Sequence, residues 1–349
     1  MLVVRPDAWV PSVGLGSLAC VATAIALMVG FVAPARAQFD YFKGKTITLY
    51  VAFGSGGGYD QYARLLARHI GKHIPGEPRM IVSNMPGANG VIAANFLYNV
   101  APKDGTALGL LYQSIAQDQV LGGQGIQFDT SKFSWIGRIA SNVEIMYTWH
   151  TVPVRSVHDL ASRETILASG SPGIAIYAHL LTVAVGARFK LVRGYPGTQE
   201  IHLALERGEV EGAYSSLNTI RTMWSHWLRD KKIKMIVQTG LERHPNLPDV
   251  PTMVELGKTA EDKKTIAFFA ASGAIGRSIV APPDMSAEAL NVLRAAFQAT
   301  MKDEQFLAEA RQVNMDVDPL AGDDLEKIAE RIVNIGPAER ERARNTPTR

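Results

Sequence analysis

Residues 46–70, TITLYVAFGSGGGYDQYARLLARHI, constrain the fold more than any other stretch of the chain. Ile47, Leu49, Val51 and Phe53 alternate with Thr46, Thr48 and Tyr50, the period of a β-strand rich in branched and aromatic residues. Gly54, Ser55, Gly56, Gly57 and Gly58 follow, and glycine allows backbone angles and close approaches that a side chain forbids. Tyr59, Ala63, Leu66 and Ile70 then recur at about helical spacing, with Arg64 and Arg68 on the solvent side and Asp60 or Ser55 placed to cap the helix start. The predicted unit is strand, glycine loop, helix. The unpaired first amides of such a helix, with about half a positive charge from its dipole, attract anions, so the loop is a candidate cradle for a carboxylate or phosphate. The plain alternative is an ordinary strand-to-helix connection.

The pattern repeats along the chain. Residues 79–83 read as a strand, residues 84–90 (NMPGANG) as a second loop of turn-formers, residues 91–98 as a helix and residues 106–112 as a third strand. Strands alternating with helices predict a parallel sheet whose loops gather at the strands' carboxyl ends. Residues 113–135 read as surface loop, residues 136–139 and 143–148 as strands, and the chain is expected to enter a second lobe here. There the strand 165–168, the loop Ser169-Gly170-Ser171-Pro172-Gly173 and a helix to about residue 185 repeat the opening architecture. A strand at 189–192 runs into Arg193-Gly194-Tyr195-Pro196-Gly197, and Thr198 can cap the helix 199–207. Further strands are expected at 210–215, 233–238, 266–269 and 278–280, with late helices near Leu290 to Met301 and at 323–334 before a charged, frayed tail.

A chain of 349 residues is long enough for two lobes, because single cores stop growing at roughly 250 residues. The formal charge of +3 is too small to argue for a nucleic-acid surface. Arg5, the apolar run at residues 13–33 and the small-x-small site Ala35-Arg36-Ala37 predict a signal peptide cleaved before Gln38. The run of about 21 residues is also long enough for an uncleaved anchor. Cys20, the one cysteine, lies inside it, in a poor lipidation box, so a chain from Gln38 has no thiol chemistry and no disulfide.

Enzyme signatures mostly fail. Tyr59 stands where Gly-x-Gly-x-x-Gly needs its last glycine, and neither a P-loop nor Gly-x-Ser-x-Gly occurs. His69 and His73 are four apart but lack the glutamate of His-Glu-x-x-His, and read as surface histidines at a helix end rather than a metal pair. Trp224 and Trp227 read as packing. Ser55, Ser169 and Ser171 can either bond a ligand through their hydroxyls or cap helices. Arg193 and Arg277 can neutralise an anion at the rim, or simply be exposed charges. Amides alone can hold a carboxylate, since charge-assisted hydrogen bonds at about 1.5 to 3 kcal/mol each offset its desolvation.

Several motifs, in order, resemble one family. They are Gly56-Gly57-Gly58-Tyr59-Asp60 with Ala63-Arg64-Leu65-Leu66-Ala67, Asn84-Met85-Pro86-Gly87-Ala88-Asn89-Gly90, and Ala101-Pro102-Lys103-Asp104-Gly105-Thr106. Ser156-Val157-His158-Asp159-Leu160, Arg193-Gly194-Tyr195-Pro196-Gly197 and Ala281-Pro282-Pro283 continue the series. Together they are similar to the extracytoplasmic solute receptors of the tripartite tricarboxylate transporter system, also called Bug proteins. The resemblance implies an α/β, two-lobed, hinged binding protein of the periplasmic type II kind, each lobe a mostly parallel sheet flanked by helices. Its expected divisions are the signal peptide 1–37, a first lobe of 38–142 and 264–349, and a second lobe of 143–263.

The resemblance further implies a periplasmic monomer without cofactor or nucleic acid. It would capture a small organic carboxylate through loop amides and serines and present it to membrane permease subunits. By position the expected contacts are Phe53, Gly54, Ser55, Gly56, Gly57, Gly58, Tyr59 and Asp60, then Asn84, Gly87, Ala88 and Asn89. From the second lobe they are Ser169, Gly170, Ser171 and Gly173, with Tyr195, Pro196 and Gly197. Gly54-Ser55 departs from the prolines that often precede the three glycines in the family. An exported α/β enzyme acting on a carboxylated metabolite, and a ligand-sensing subunit of a membrane sensor, are the alternatives.

Overall fold

The alternating run forms β1 (Thr46–Val51), flanked in parallel by β2 (Arg79–Asn84) and β3 (Ala107–Leu110), with Thr46 opposite Arg79 and Thr48 opposite Ala107. The computed structural model describes residues 41–169, 172–195 and 198–346; the expected signal peptide and its cleavage site lie outside them. β10 (Ser278–Ala281) pairs antiparallel with β3, β4 (Ser134–Arg138) with β10, and β11 (Leu320–Ala321) with β4, giving the sheet order β11-β4-β10-β3-β1-β2. A second sheet, ordered β7-β6-β8-β5-β9, is built from β5 (Glu144–Trp149), β6 (Glu164–Ser169), β7 (Arg188–Arg193), β8 (Gly212–Ser216) and β9 (Ile233–Gln238). There β6 runs parallel to β7 and β8, and β5 antiparallel to β8 and β9.

Both sheets are therefore mixed, where mostly parallel ones were expected. The parallel pairs are those reached through helices laid on the sheet, as parallel pairing requires. β4, β5 and β10 adjoin the places where the chain passes from one sheet to the other, and each antiparallel pairing among the described residues involves one of them. The two crossings are bonded side by side: Ile139 N donates to Arg277 O at 2.9 Å, and Arg277 N donates to Ala140 O at 2.8 Å. Gly276 makes that approach possible, because its φ is +53° and a Cβ there would lie 2.3 Å from Ala140 O.

Burial organises the rest. Ile47, Leu49, Val51, Leu108 and Leu110 pack with Leu66 and Phe297 on one side of the first sheet. Tyr147, Leu205, Ile220 and Trp227 pack against the second. A further apolar cluster spans both, from Leu97 and Trp135 to Leu167 and Val237, and includes Phe268 and Phe269. Each such side chain contributes about 1.5 to 3 kcal/mol when fully buried.

Three expectations about local structure fail for identifiable reasons. Residues 266–269 are not a strand but the end of helix Ala260–Ala270, which Thr259 and Asp262 start with a reciprocal capping box. A short apolar run fits a buried strand or a buried helical turn equally well. Residues 113–135 are not plain surface loop: they hold helix Ile115–Leu121 and bury Gln113, Phe128 and Phe133. The tail expected to fray contains helix Pro337–Arg344, with a proline in its first turn, Ala343 buried and Arg342 paired to Glu261 at 2.6 Å.

Candidate functional site

A cavity of about 490 Å³ opens between the two sheets, walled from the first by the loop after β1 and from the second by β5, β8 and the helices that follow β6 and β7. Of the expected contacts, Phe53, Gly54, Ser55, Gly56, Gly57, Gly58, Tyr59, Asn89 and Gly173 lie on its wall. Thus the glycine loop and the start of helix Pro172–Val185 share one space, as the repeated strand, loop and helix unit suggests. Gly170, Ser171, Pro196 and Gly197 fall outside the described residues. Asp60, Asn84, Gly87, Ala88, Ser169 and Tyr195 are not on the wall.

Asp60 and Asn84 work behind the loop. Neither Asp60 nor Ser55 caps helix Gly58–His69 in the expected way, since Gly57 occupies the cap position without a side-chain bond. Instead the buried Asp60 carboxylate accepts Gly56 N at 2.9 Å, Arg64 Nε at 2.8 Å and Asn84 Nδ2 at 2.9 Å, while Asn84 also donates to Phe53 O at 2.9 Å. Burial opposes the charge on Asp60, but these three donors outweigh it and hold the carboxyl below the usual aspartate range. The loop is thereby pinned from its rear, leaving its front to the cavity.

The second loop is a run of left-handed residues, Gly87, Ala88, Asn89 and Gly90, with φ values from +46° to +137°. Asn89 alone of these reaches the wall, and its side chain lies beside Asp118. Asp118 also accepts Ser114 Oγ at 3.1 Å, yet burial dominates and pushes its carboxyl up to about 6. Ser169 is buried at the end of β6, and Tyr195 is half-buried beyond β7.

Arg277 contradicts the reading of it as an exposed charge: its side chain is on the cavity wall and the residue is only 2% exposed. Arg193 is exposed and off the wall. The Arg277 guanidinium carbon lies 3.7 Å over the Tyr59 ring, and Nη2 donates to Ser216 Oγ at 3.4 Å. Nε and Nη1 are buried without a hydrogen-bond partner, and among the described residues the guanidinium has no ion pair. A buried cation so placed offers its charge to an anionic occupant.

Aromatic rings complete the wall. Phe53 lies tilted 4.6 Å from Tyr59 and edge-on 5.3 Å from Tyr112, and across the cavity Tyr177 lies 5.6 Å from Tyr214. Trp224, expected only to pack, also lines the cavity, held by His202 at 3.8 Å between ring centroids. Trp227 is buried packing, as expected. Glu144 reaches the wall from β5, its Oε1 accepting Asn142 Nδ2 at 2.9 Å; burial raises its carboxyl above the ordinary range, against the pull of Arg277 and that hydrogen bond. A charged residue inside the apolar strand sequence VEIMYTW was the available signal for Glu144; Arg277, between Gly276 and the apolar run of β10, carried a similar one.

The two spaced histidines are held by carboxylates. His69 Nε2 meets Glu309 at 2.7 Å and His73 Nε2 meets Asp303 at 2.9 Å, both partly buried rather than bare surface groups.

The family model described as tripartite tricarboxylate transporter family receptor matches residues 62–337. A Cupriavidus necator protein described as "UPF0065 protein in gbd 5'region" is 28% identical over 233 residues, covering 64% of this chain and 68% of that one. Among solved structures, a Rhodopseudomonas palustris protein with adipate superposes with a TM-score of 0.66 at 22% identity, covering 87% of this chain and 97% of its own. MatC of the same organism, with bound malate, gives 0.65 at 20% identity, covering 87% and 99%. The fold is that of the two-lobed type II periplasmic binding proteins. With the match extending over most of its length, the chain belongs to the receptor family of the tripartite tricarboxylate transporters.

Proposed function

We propose that this receptor works in the periplasm, from a mature chain beginning at Gln38, and holds a small organic carboxylate in the cavity between its two sheets without transforming it. The observation that carries the reading is Arg277, a wall residue whose buried guanidinium has two unpartnered nitrogens, beside the loop glycines Gly57 and Gly58. A carboxylate supplies what that group lacks. The structural neighbours solved with adipate and malate support the class of ligand. The side-by-side crossings at Ala140 and Arg277 form the hinge about which the lobes close, and the closed form is what the membrane permease subunits receive.

Thermal-shift screening of the mature chain against carboxylic acids, followed by calorimetry of the hits, tests this. A true ligand at 100 times its dissociation constant raises stability by about 2.7 kcal/mol. Chemical consumption of the hit would instead identify an exported enzyme.

A further inference from the structure

Carboxylate capture by Arg277 leaves two carboxylates on the cavity wall unused, and the half-buried one is Glu144. Glu144 lies in β5 between Val143 and Ile145, half-buried on the wall, while Ile145, Met146 and Tyr147 beside it in the strand are wholly buried. The only hydrogen bond to its carboxylate among the described residues comes from Asn142, at 2.9 Å to Oε1. Arg277, on the same wall, attracts the Glu144 carboxylate, but no Lys, Arg or His of the described residues forms a direct ion pair with it. Nearby, the Tyr214 hydroxyl is buried without a partner.

A half-buried carboxylate with one hydrogen bond is costly to keep unless something in the cavity compensates it. Glu200, exposed on the same wall, adds a second negative charge. The wall residues therefore bring one cation against two carboxylates, which disfavours an occupant carrying several negative charges. A second carboxylate on the ligand would sit in the field of Glu144.

We infer that Glu144 receives a protonated amine, and that the ligand is an amino carboxylic acid held as a zwitterion, its carboxylate toward Arg277 and its ammonium toward Glu144. The inference rests on the carboxylate reading above and narrows it. The aromatic lining of Phe53, Tyr59, Tyr112, Tyr177 and Trp224 accepts an apolar body between the charged ends.

Calorimetry on the mature chain with matched acids decides it, using phenylalanine against 3-phenylpropionate, glutamate against glutarate and 6-aminohexanoate against hexanoate, with adipate and malate as further carboxylates. The amine-bearing member of the tightest pair should bind at least tenfold better. Glu144→Gln should reduce that preference below threefold while leaving the deaminated acid's affinity equal or higher, a change that a merely structural role for Glu144 would not produce. Deaminated acids binding wild-type as well as the amines, or a preference surviving in Glu144→Gln, overturns the inference. Binding of adipate or malate alone overturns it but keeps the carboxylate reading, whereas no binding by any acid overturns both. If Glu144→Gln is not recovered folded, the wild-type ratio alone decides.

Discussion

The guanidinium of Arg277 rests 3.7 Å above the ring of Tyr59, so that a buried cation is held by an aromatic face and not by a carboxylate. A desolvated cation–π contact is worth about 2 kcal/mol, less than the several kcal/mol needed to take an ion out of water. The remainder is available to a bound anion.

Replacing Arg277 by Gln is expected to weaken carboxylate binding at least about 30-fold, near the 2 kcal/mol of a charge-assisted hydrogen bond. The ligand-free melting temperature should hold or rise, since an uncompensated buried charge is removed. Calorimetry and thermal melts read the two effects separately. Unchanged affinity would take Arg277 out of the site.

Gly57 separates folding from binding in the opposite sense. Its φ of −81° and ψ of 172° suit any residue, and a Cβ there meets nothing within 4 Å. Gly57→Val should therefore fold with a melting temperature close to wild-type, yet lose ligand binding, because the branched side chain occupies the space beside the loop amides. Full affinity in this variant would mean that the loop does not touch the ligand.

At Gly276 the expectation is structural. An alanine there meets both a left-handed φ of +53° and a backbone oxygen at 2.3 Å, and neither can be relieved without separating the two crossings. Gly276→Ala should cost about 2 kcal/mol or more in urea unfolding. A variant as stable as wild-type would show that the crossings can part freely.

Asp118 sets a pH dependence. Burial raises its folded carboxyl from 3.8 to about 6, so the folded state holds the proton more tightly than the unfolded chain does. Its stabilising contribution is complete below about pH 4 and is lost as pH rises through about 6, a change of up to about 3 kcal/mol. Asp118→Asn should remove that part of the slope between pH 4 and 7. An unaltered profile would assign the slope elsewhere.

The strand, glycine loop and helix at residues 46–70 were legible because each is a local decision: alternation makes β1, small residues make the turn, and helical spacing makes the next element. The same holds for the second-lobe repeat and for the family motifs, which are contiguous runs. The sequence could not show that Ile266 belongs to a helix, since four apolar residues satisfy both periods, nor that the sheets are mixed, since strand direction depends on where each crossing lands.

Local pattern sets the pieces, namely glycine loops ahead of two helices in a chain long enough for two lobes. Which charges share the cavity with them depends on the long-range fold. Arg277 and Glu144 are 133 positions apart, and each is a single charge in an otherwise apolar strand context. An isolated charge in an apolar run hints at burial, but that the two share a wall follows only from the crossing at Ala140 and Gly276.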